Sequence, residues 1–264
     1  MGKEDILEKI AGRTRKRVSL AKEKRPFSVL RAEAEAVSRK VPDFSAALSR
    51  PGLSFICEVK KASPSKGLIA EDFPYLRIAQ EYESAGAEAV SVLTEPDFFL
   101  GSDEYLREIA ETVRIPALRK DFVIDEYQIY EAKVLGASAV LFICALIIDE
   151  KRLVSYLECA GELGLSALVE AHTEAEIETA LRAEARIIGV NNRNLRTFAV
   201  DPAEGLKLRS LVPRDRLFVS ESGIRSRSDV QALEEYGADA ALIGEALMRA
   251  PDKTAFLAEL RGLR

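Results

Sequence analysis

A chain of 264 residues, with 47% hydrophobic and 31% charged side chains, has the composition of an ordinary globular protein and can bury a sizeable core. Its formal net charge of −5 gives no reason to expect a nucleic-acid partner, because such partners require a basic surface. No apolar run reaches the roughly 18 residues that suggest a membrane span, and Lys3, Glu4 and Asp5 interrupt any secretory signal, so we expect a cytoplasmic protein.

The first part of the chain, residues 1–50, is predicted to be helical. Ile6, Leu7, Ile10 and Val18 form one amphipathic stripe, and residues 29–37 suggest a second helix. The segment is too short to bury a core alone. We therefore expect one domain, residues 1–264, in which this extension caps the remainder.

Eight short runs rich in apolar and β-branched residues are predicted strands. They are residues 55–59, 89–93, 116–118, 139–143, 167–169, 187–190, 217–219 and 240–243. Segments with helical periodicity separate them, and such alternation requires a parallel sheet covered by helices. Glycines 86, 136 and 237 precede three of the strands and are predicted to end helices in the left-handed conformation.

Eight such repeats in a chain of this length predict an α/β fold, the (β/α)8 TIM barrel, with the N-terminal helical extension capping its mouth. An open, doubly wound sheet is the alternative. That fold usually has a glycine-rich dinucleotide turn after its first strand, whereas here residues 61–67 read KASPSKG. The pattern therefore favours the barrel.

Cysteine and histidine content narrows the chemistry. Cys57, Cys144 and Cys159 show no Cys-x-x-Cys spacing, which indicates reduced thiols rather than a disulfide framework or a zinc site. His172 is the single histidine, which argues against histidine-rich metal sites and serine–histidine catalysis. His172 shares a strand face with Glu170 if the strand continues, but a lone histidine at a strand exit is usually a solvated loop residue, and we assign it no role. Acid–base chemistry must then use carboxylates and lysines.

Charged residues stand at the carboxyl ends of the predicted strands, which is where the functional residues of (β/α)8 enzymes lie. In the first strand, Glu58 and Lys60 are two residues apart and share one face, while Cys57 and Val59 face the helices. Alternate strands of a barrel share a layer of inward-pointing residues. The first, third, fifth and seventh strands supply a charged layer: Glu58, Lys60, Lys120, Glu170 and Glu221.

Such a charged layer is costly unless its members pair. We therefore interpret it as a catalytic centre rather than as solvated strand ends. A second ammonium nearby lowers the pKa of a lysine, so we expect Lys60 and Lys120 to lower each other's pKa toward working pH.

Phosphate binding in this fold uses the loops after the seventh and eighth strands, where backbone N–H groups meet the anion. Ser222 and Gly223 occupy the first of these loops, and Gly244 and Glu245 the second. Glycine lets the backbone approach a ligand closely. Ser63, in the loop after the first strand, adds a hydroxyl donor. A small phosphorylated ligand is therefore expected.

The sequence resembles the indole-3-glycerol phosphate synthases of tryptophan biosynthesis along essentially its whole length. The motifs that carry the resemblance are residues 56–67 (ICEVKKASPSKG), 98–102 (FFLGS), 119–122 (RKDF), 190–195 (VNNRNL) and 220–224 (SESGI). It implies a carboxy-lyase that closes the ring of 1-(2-carboxyphenylamino)-1-deoxyribulose 5-phosphate with loss of CO2 and water. It implies no cofactor and no metal.

The resemblance also implies roles for particular residues. Catalytic positions fall on Glu58, Lys60, Lys120, Glu170, Asn191 and Ser222, with Glu221 as a supporting carboxylate. Phosphate contacts fall on Lys60, Ser63, Ser222, Gly223, Gly244 and Glu245. The anthranilate ring of the substrate would lie on Pro64, Phe99, Phe122 and Leu195, with Arg193 near its carboxylate. Glu245 stands where some relatives have serine, so its contact should come from the backbone N–H, with the carboxylate turned away.

Two other functions remain open. One is a sugar-phosphate isomerase of the same fold, such as phosphoribosylanthranilate isomerase, which uses a strand-one cysteine as a base; the strand alternation turns Cys57 away from Glu58 and Lys60. The other is a non-catalytic barrel that binds a phosphorylated ligand to regulate a partner, against which the charged layer argues. We expect a monomer, since assigning the helices to the barrel leaves no large apolar stripe.

Overall fold

The computed structural model describes residues 6–194 and 198–263, apart from the side chains of residues 202–204. Within these ranges, eight parallel strands close a barrel, each paired with the barrel strands before and after it in the chain. The barrel strands are β1 (Ser54–Val59), β4 (Ala89–Leu93), β5 (Ala117–Lys120), β6 (Ala139–Ile143), β7 (Ser166–Ala171), β8 (Ile187–Asn191), β9 (Leu217–Glu221) and β10 (Ala240–Ile243). The predicted TIM barrel is confirmed, and the open sheet is excluded because β10 pairs with β1.

Helices follow the strands and cover the barrel. They are α4 (Tyr75–Ser84), α5 (Asp103–Thr112), α6 (Tyr127–Val134), α7 (Glu150–Glu162), α8 (Glu174–Arg182), α9 (Pro202–Arg209), α10 (Arg227–Tyr236), α11 (Glu245–Arg249) and α12 (Lys253–Leu260). Local sequence explains their ends. The side chain of Thr173 caps α8 by accepting from the backbone N–H of Glu176 at 3.2 Å. Gly86, Gly136 and Gly237 have φ of 83°, 85° and 73°, as predicted.

Two apolar layers result from the alternation along the strands. Ile56, Leu118 and Leu168 belong to a cluster inside the barrel. Cys57 and Val59 belong to the cluster between strands and helices, as the strand periodicity predicts. A short antiparallel pair, β2 (Ala62–Ser63) with β3 (Gly67–Leu68), shapes the loop after β1. This loop and the carboxyl ends of the strands form the mouth.

The N-terminal extension contains α1 (Ile6–Lys24), α2 (Phe27–Ala36) and α3 (Phe44–Leu48). Helix α1 lies at the mouth, where Ile6, Leu7 and Ile10 line the cavity. Helix α2 packs on α6, with the ring centroids of Phe27 and Tyr130 5.1 Å apart. The third helix was not predicted.

Helix α3 lies at the opposite end of the barrel. Its Phe44 and Leu48 are buried in the interior cluster. The hydroxyl of Ser54, the first residue of β1, donates to the carbonyl of Leu48 at 3.4 Å. The extension therefore contacts both ends of the barrel, with α1 at the mouth. In the described part of the chain, no helix is long and apolar enough to cross a membrane.

Candidate active site

The mouth of the barrel opens into a cavity of about 810 Å³. All but one of the residues proposed from the sequence line it. These are Glu58, Lys60, Ser63, Pro64, Phe99, Lys120, Phe122, Glu170, Asn191, Arg193, Glu221, Ser222, Gly223, Gly244 and Glu245. The remaining one, Leu195, lies outside the described residues. The strands thus bring residues up to 187 positions apart to one place (from 58 to 245).

A lysine between two carboxylates forms the centre of the site. The Nζ of Lys120 on β5 lies 2.8 Å from Glu170 Oε2 on β7 and 2.8 Å from Glu221 Oε2 on β9. Both glutamates are almost fully buried, at 2% and 1% exposure. At these distances both contacts are charge-assisted hydrogen bonds. One ammonium thus joins three alternate strands of the barrel.

Burial and charge separate the pKa values of these groups. Burial acts to lower the pKa of Lys120, but Glu170 and Glu221 raise it well above the ordinary lysine value. Burial also acts to raise the pKa of Glu170, but the Lys120 ammonium lowers it to about 2. For Glu221, burial prevails over Lys120 and raises the pKa to about 7.

The expectation that Lys60 lowers the pKa of Lys120 is therefore wrong. The pKa of Lys120 is raised instead because three carboxylates, those of Glu170, Glu221 and Glu58, all favour its charged form. The same cluster contains one strongly ionised carboxylate, Glu170, and one that titrates near neutrality, Glu221. Such a pair can take up and release a proton at working pH.

A second lysine–carboxylate pair is formed on β1 and just beyond it. Lys60 Nζ donates to Glu58 Oε1, and Glu58 is buried at 3% exposure. Gly244, at the end of β10, leaves the space that this pair occupies. A Cβ at Gly244 would lie 2.8 Å from Lys60 Nζ and would collide with the Glu58 carboxylate. A Cβ at this position would therefore displace the Lys60–Glu58 pair, and its absence also lets a ligand approach the backbone closely.

Asn191 connects the Lys120 cluster to the loop after β9. Its Nδ2 donates to Glu170 Oε1 at 3.3 Å, and its Oδ1 accepts from Ser222 Oγ at 2.9 Å and from the backbone N–H of Arg193 at 3.0 Å. An amide that uses both its donor and its acceptor is held in one orientation. Asn191 can therefore orient Glu170 without itself titrating.

The loop after β9 has a backbone conformation that residues with a side chain rarely adopt. Ser222 and Gly223 have φ of 68° and 90° in succession, and the Ser222 conformation is costly for a residue with a Cβ. Asn192 supports it, since its Nδ2 donates to the carbonyl of Ser222 at 3.0 Å. Ser222 and Gly223 line the cavity, so the backbone of this strained loop is accessible to a ligand.

Aromatic side chains form the apolar wall of the cavity. The ring centroids of Phe99 and Phe122 lie 5.8 Å apart with the planes tilted by 39°, and Pro64 lines the same cavity. Glu95, which sequence analysis missed, holds the loop that carries Phe99. Its buried carboxylate accepts from the backbone N–H groups of residues 97, 98 and 99 at 3.1, 2.7 and 3.1 Å. A flat, aromatic ligand matches this wall.

Helix α1 is attached to the site by an ion pair between a partly exposed arginine and a fully buried aspartate. Arg17 Nη2 donates to both oxygens of Asp121, at 2.7 and 2.9 Å, and Asp121 directly follows Lys120. Thr94 Oγ1 and the backbone N–H of Phe122 donate to Asp121 at 2.8 Å each. Burial acts to raise the pKa of Asp121, but Arg17 and Arg119 lower it below its ordinary value. The extension and the end of β5 are therefore held together.

The sequence as a whole matches one family model, described as indole-3-glycerol phosphate synthase, over residues 7–260. The chain belongs to the indole-3-glycerol phosphate synthase family. In the described residues no cluster of histidine, cysteine, aspartate and glutamate has the grouping of a metal site.

Relatives that carry the family name match nearly the entire chain. The chain is 57% identical over 258 residues to the indole-3-glycerol phosphate synthase of Ruminiclostridium cellulolyticum, which covers 97% of this chain and 99% of that protein. It is 56% identical over 257 residues to that of Endomicrobium trichonymphae, again covering 97% and 99%. With the Chlorobium chlorochromatii protein the identity is 46%, covering 91% and 94%.

Solved structures of other barrels are similar in fold alone. The 3-hexulose-6-phosphate synthase of Salmonella typhimurium has a TM-score of 0.65 at 15% identity, covering 80% of this chain and 98% of that one. The thiamine phosphate pyrophosphorylase of Pyrococcus furiosus has a TM-score of 0.59 at 16% identity, covering 80% and 94%. At such identities these likenesses carry no argument about substrate.

Glu245 is the residue for which the family resemblance implies a serine in some members. Its carboxylate faces two cationic side chains. Oε1 lies 3.5 Å from Lys66 Nζ and 3.2 Å from Arg249 Nε. Burial acts to raise its pKa, but Lys66 and Arg249 lower it. The negative charge of Glu245 is therefore partly neutralised by these two partners.

Two further groups of residues that shape or line the cavity were not predicted from the sequence. Gly189, in the middle of β8, has no space for a Cβ, which would collide with Glu221 Oε1. A glycine inside a predicted strand was the available signal. Phe198 and Phe256 line the cavity, but neither lies at a strand end, so their positions in the sequence gave no signal.

Proposed function

We propose that the protein catalyses the ring closure of 1-(2-carboxyphenylamino)-1-deoxyribulose 5-phosphate to indole-3-glycerol phosphate, with release of CO2 and water. Membership of the family supports this activity of a decarboxylating lyase in tryptophan biosynthesis. The observation that carries it is the placement of two lysine–carboxylate groups, Lys60 with Glu58 and Lys120 with Glu170 and Glu221, in one cavity with an aromatic wall.

The substrate requires three kinds of contact, and the cavity offers each. Phe99, Phe122 and Pro64 suit the flat anthranilate ring, and Arg193 lines the cavity as a cation for its carboxylate. The phosphate is proposed to meet the backbone of the loops after β9 and β10, with hydroxyls from Ser63 and Ser222. Leu195 is proposed beside the ring from the family motif alone. No cofactor or metal is part of the proposal.

In the first step the ring carbon that bears the carboxylate attacks the keto carbon of the sugar. The keto oxygen gains negative charge, and a lysine ammonium donates the proton that makes it a hydroxyl. The carbon–carboxylate bond then breaks, CO2 leaves, and its electron pair restores the aromatic ring. The acid must be held close to the oxygen, and Lys60 and Lys120 both point into the cavity.

In the second step the new hydroxyl leaves as water. A lysine ammonium supplies the proton to the leaving oxygen, while a carboxylate removes the proton whose loss completes the aromatic indole. Glu58 and Glu170 each pair with a lysine and can accept that proton. A proton passed to Glu170 can move to Lys120 or Glu221, since Lys120 contacts both glutamates at 2.8 Å. The lysines donate two protons per turnover and the carboxylate recovers one, so one further proton must come from solvent before the site is ready for the next turnover.

An assay with the anilino-sugar phosphate tests the proposal directly. We expect indole fluorescence to appear with stoichiometric release of CO2. Phosphoribosylanthranilate, offered to the same protein, should give no product, which separates the proposed activity from the isomerase. Binding of the anilino-sugar without turnover would instead indicate the non-catalytic, ligand-binding alternative and would reject the proposed reaction.

A substitution in the loop after β9 tests the phosphate site. Gly223→Val should raise KM by about tenfold or more with a smaller effect on kcat, because a hydrogen bond to a charged group contributes about 1.5–3 kcal/mol. The matched control is Gly86→Val, since Gly86 has a similar φ of 83° but open space around it. It should show the backbone strain alone, without a change in KM. Lost turnover with unchanged KM in Gly223→Val would contradict the assignment.

Three further properties are part of the proposal. We propose that residues 1–264 act as one domain with residues 1–50 as its helical extension, that the protein works as a monomer without a nucleic-acid partner, and that it resides in the cytoplasm. The contacts of α1 and α3 with the two ends of the barrel support the first. The net charge of −5 supports the absence of a nucleic-acid partner.

A further inference from the structure

The single histidine of the chain lies next to a proposed catalytic residue. His172 follows β7 directly and is two residues after Glu170. Sequence analysis treated it as a solvated loop residue, but its side chain is only 16% exposed. The interpretation as a solvated residue is therefore wrong. The physical reason is that only two residues separate β7 from α8, so Glu176 in the first turn of α8 lies against the imidazole.

The imidazole lies between two carboxylates. Its Nε2 is 3.5 Å from Glu170 Oε1, and its Nδ1 is 3.6 Å from Glu176 Oε2, both ion-pair distances. Among the described residues, buried Nε2 has no hydrogen-bond partner, so its contact with Glu170 is one of charge. Glu176 is itself fixed, because its Oε2 accepts from the backbone N–H of His172 at 2.6 Å. The two ring nitrogens thus face one carboxylate inside the site and one outside it.

Other elements complete the surroundings of the imidazole. Glu221 on β9 contributes a further acidic group. Lys120 on β5 occupies the opposite oxygen of Glu170, and Asn191 on β8 shares Oε1 with the imidazole. Cys144, at the end of β6, donates to the carbonyl of Glu176 at 3.7 Å and remains neutral, because burial raises its pKa to about 12. Apart from Lys120, the ionised neighbours in this set are carboxylates.

We propose that His172 is a positioning residue for Glu170: as an imidazolium placed against Glu176, it presents a positive charge to Oε1 of Glu170 while Lys120 donates to Oε2. The inference rests on the proposed function, in which Glu170 accepts a proton from the substrate. Held from both sides, the carboxylate keeps one orientation. It also stays ionised between turnovers, because two positive charges face it.

The charge state of His172 agrees with this role. Burial acts to lower the pKa of His172, but Glu176 and Glu170 raise it above the ordinary histidine value. The imidazolium is therefore present below this raised pKa and is lost as the pH rises through it. Above that pH, Glu170 keeps Lys120 as its cationic hydrogen-bond partner.

Proton NMR of the imidazole tests the geometry without any substrate, because a chain with one histidine gives one set of imidazole resonances. We expect His172 in the intact protein to titrate above the ordinary value of about 6.5. Glu176→Gln and Glu170→Gln should each lower that pKa. Glu178→Gln is the matched control, since Glu178 is on the same helix but is 69% exposed and faces Arg182. It should leave the titration unchanged.

The pH dependence of kcat/KM distinguishes positioning from a structural role. In His172→Gln, Glu170 loses a positive neighbour, so the acidic limb should move to higher pH by about 1 unit, within the 1–3 units that an adjacent opposite charge can contribute. Glu176→Gln should move the same limb in the same direction by a smaller amount. A purely structural defect would lower the rate at every pH without moving the limb.

Two results would overturn the inference: a His172 pKa that does not respond to Glu176→Gln and Glu170→Gln, or an acidic limb that is unmoved in a folded His172→Gln protein. If His172→Gln does not fold, the NMR titrations of the glutamate variants still decide the matter. A protein that forms no indole product while His172 titrates as expected would count against the proposed function and not against this contact.

Discussion

Lys120→Met should lower kcat by about 10²–10⁴, the range that a positioned acid or base contributes, while the protein remains folded. The variant removes the ammonium that contacts both Glu170 and Glu221. It therefore removes a proton donor and releases two carboxylates at once. Methionine keeps the length and apolar stem of lysine, so the loss reports the charge. Glu58→Gln, which neutralises the partner of Lys60, should cause a loss of the same order.

Folding of Lys120→Met must be measured together with its activity. Removing one partner of a buried ion pair typically costs about 3–5 kcal/mol, because the other charge is left unpaired. Here the cost should be smaller below neutral pH, since burial raises the pKa of Glu221 to about 7 and a proton can replace the lysine. We therefore expect the melting temperature of the variant to fall more at pH 8 than at pH 6.

Lys151→Met provides the matched control, because Lys151 is an exposed lysine of α7. Its activity and melting temperature should equal those of the unaltered protein. Near-normal turnover by Lys120→Met, with indole product formed at the usual rate, would remove Lys120 from the proposed mechanism. The same result for Glu58→Gln would remove Glu58 alone.

Deleting residues 1–40 should leave a folded barrel that binds inorganic phosphate but turns over its substrate slowly. The deletion removes α1 and α2 and keeps α3, which closes the other end of the barrel. It removes Ile6, Leu7 and Ile10 from the mouth, so water enters the site and the ring of the substrate loses a covering surface. The proposed phosphate loops after β9 and β10 are untouched.

Stability should also decrease after this deletion. Val18 and Leu30 are buried against the barrel, and each such side chain contributes about 1.5–3 kcal/mol. At about 2–4 °C for each kcal/mol in a chain of this size, the melting temperature should fall by roughly 10 °C. Thermal melting with and without phosphate, beside the product assay, separates the outcomes.

A single substitution isolates the link between α1 and the site. Arg17→Met breaks the bond to Asp121 and keeps the helices, so it should reproduce part of the kinetic defect. Arg15→Met alters an exposed arginine of the same helix and serves as the control. Full activity after the deletion would show that the extension only stabilises the protein. Loss of the barrel fold would show that α1 and α2 complete its core.

The order of elements and the faces of the strands were determined by the sequence alone. Strand periodicity is a local property, so it is sufficient to place Glu58 and Lys60 inside the barrel and Cys57 outside it. Three of the eight predicted strands, residues 89–93, 139–143 and 240–243, have the observed bounds. The family resemblance also named fifteen residues that line the cavity, many of them at or just after strand ends.

The tertiary structure decided where the other strands end. The predicted third, fifth, sixth and seventh strands stop short of Lys120, Glu170, Asn191 and Glu221, whereas the observed strands include them. From its neighbours in sequence alone, a polar residue after an apolar run is predicted to lie beyond the end of the strand. In the closed barrel the same residue is stabilised by partners 21 to 101 positions away, so the strand continues. Burial of a charge depends on such long-range pairing, which periodicity does not report.

The direction of each pKa shift and the role of His172 also depended on tertiary contacts. Two lysines in one layer suggested mutual repulsion, but the number and distance of carboxylates around Lys120 reverse the sign. His172 looked like a solvated loop residue because the sequence shows neither whether the strand continues through it nor which residues cover it. The imidazole of His172 lies between Glu170 and Glu176. Both contacts arise because α8 follows β7 after only two residues. Electrostatic energies depend on distance and burial, and both are set by the closure of the barrel.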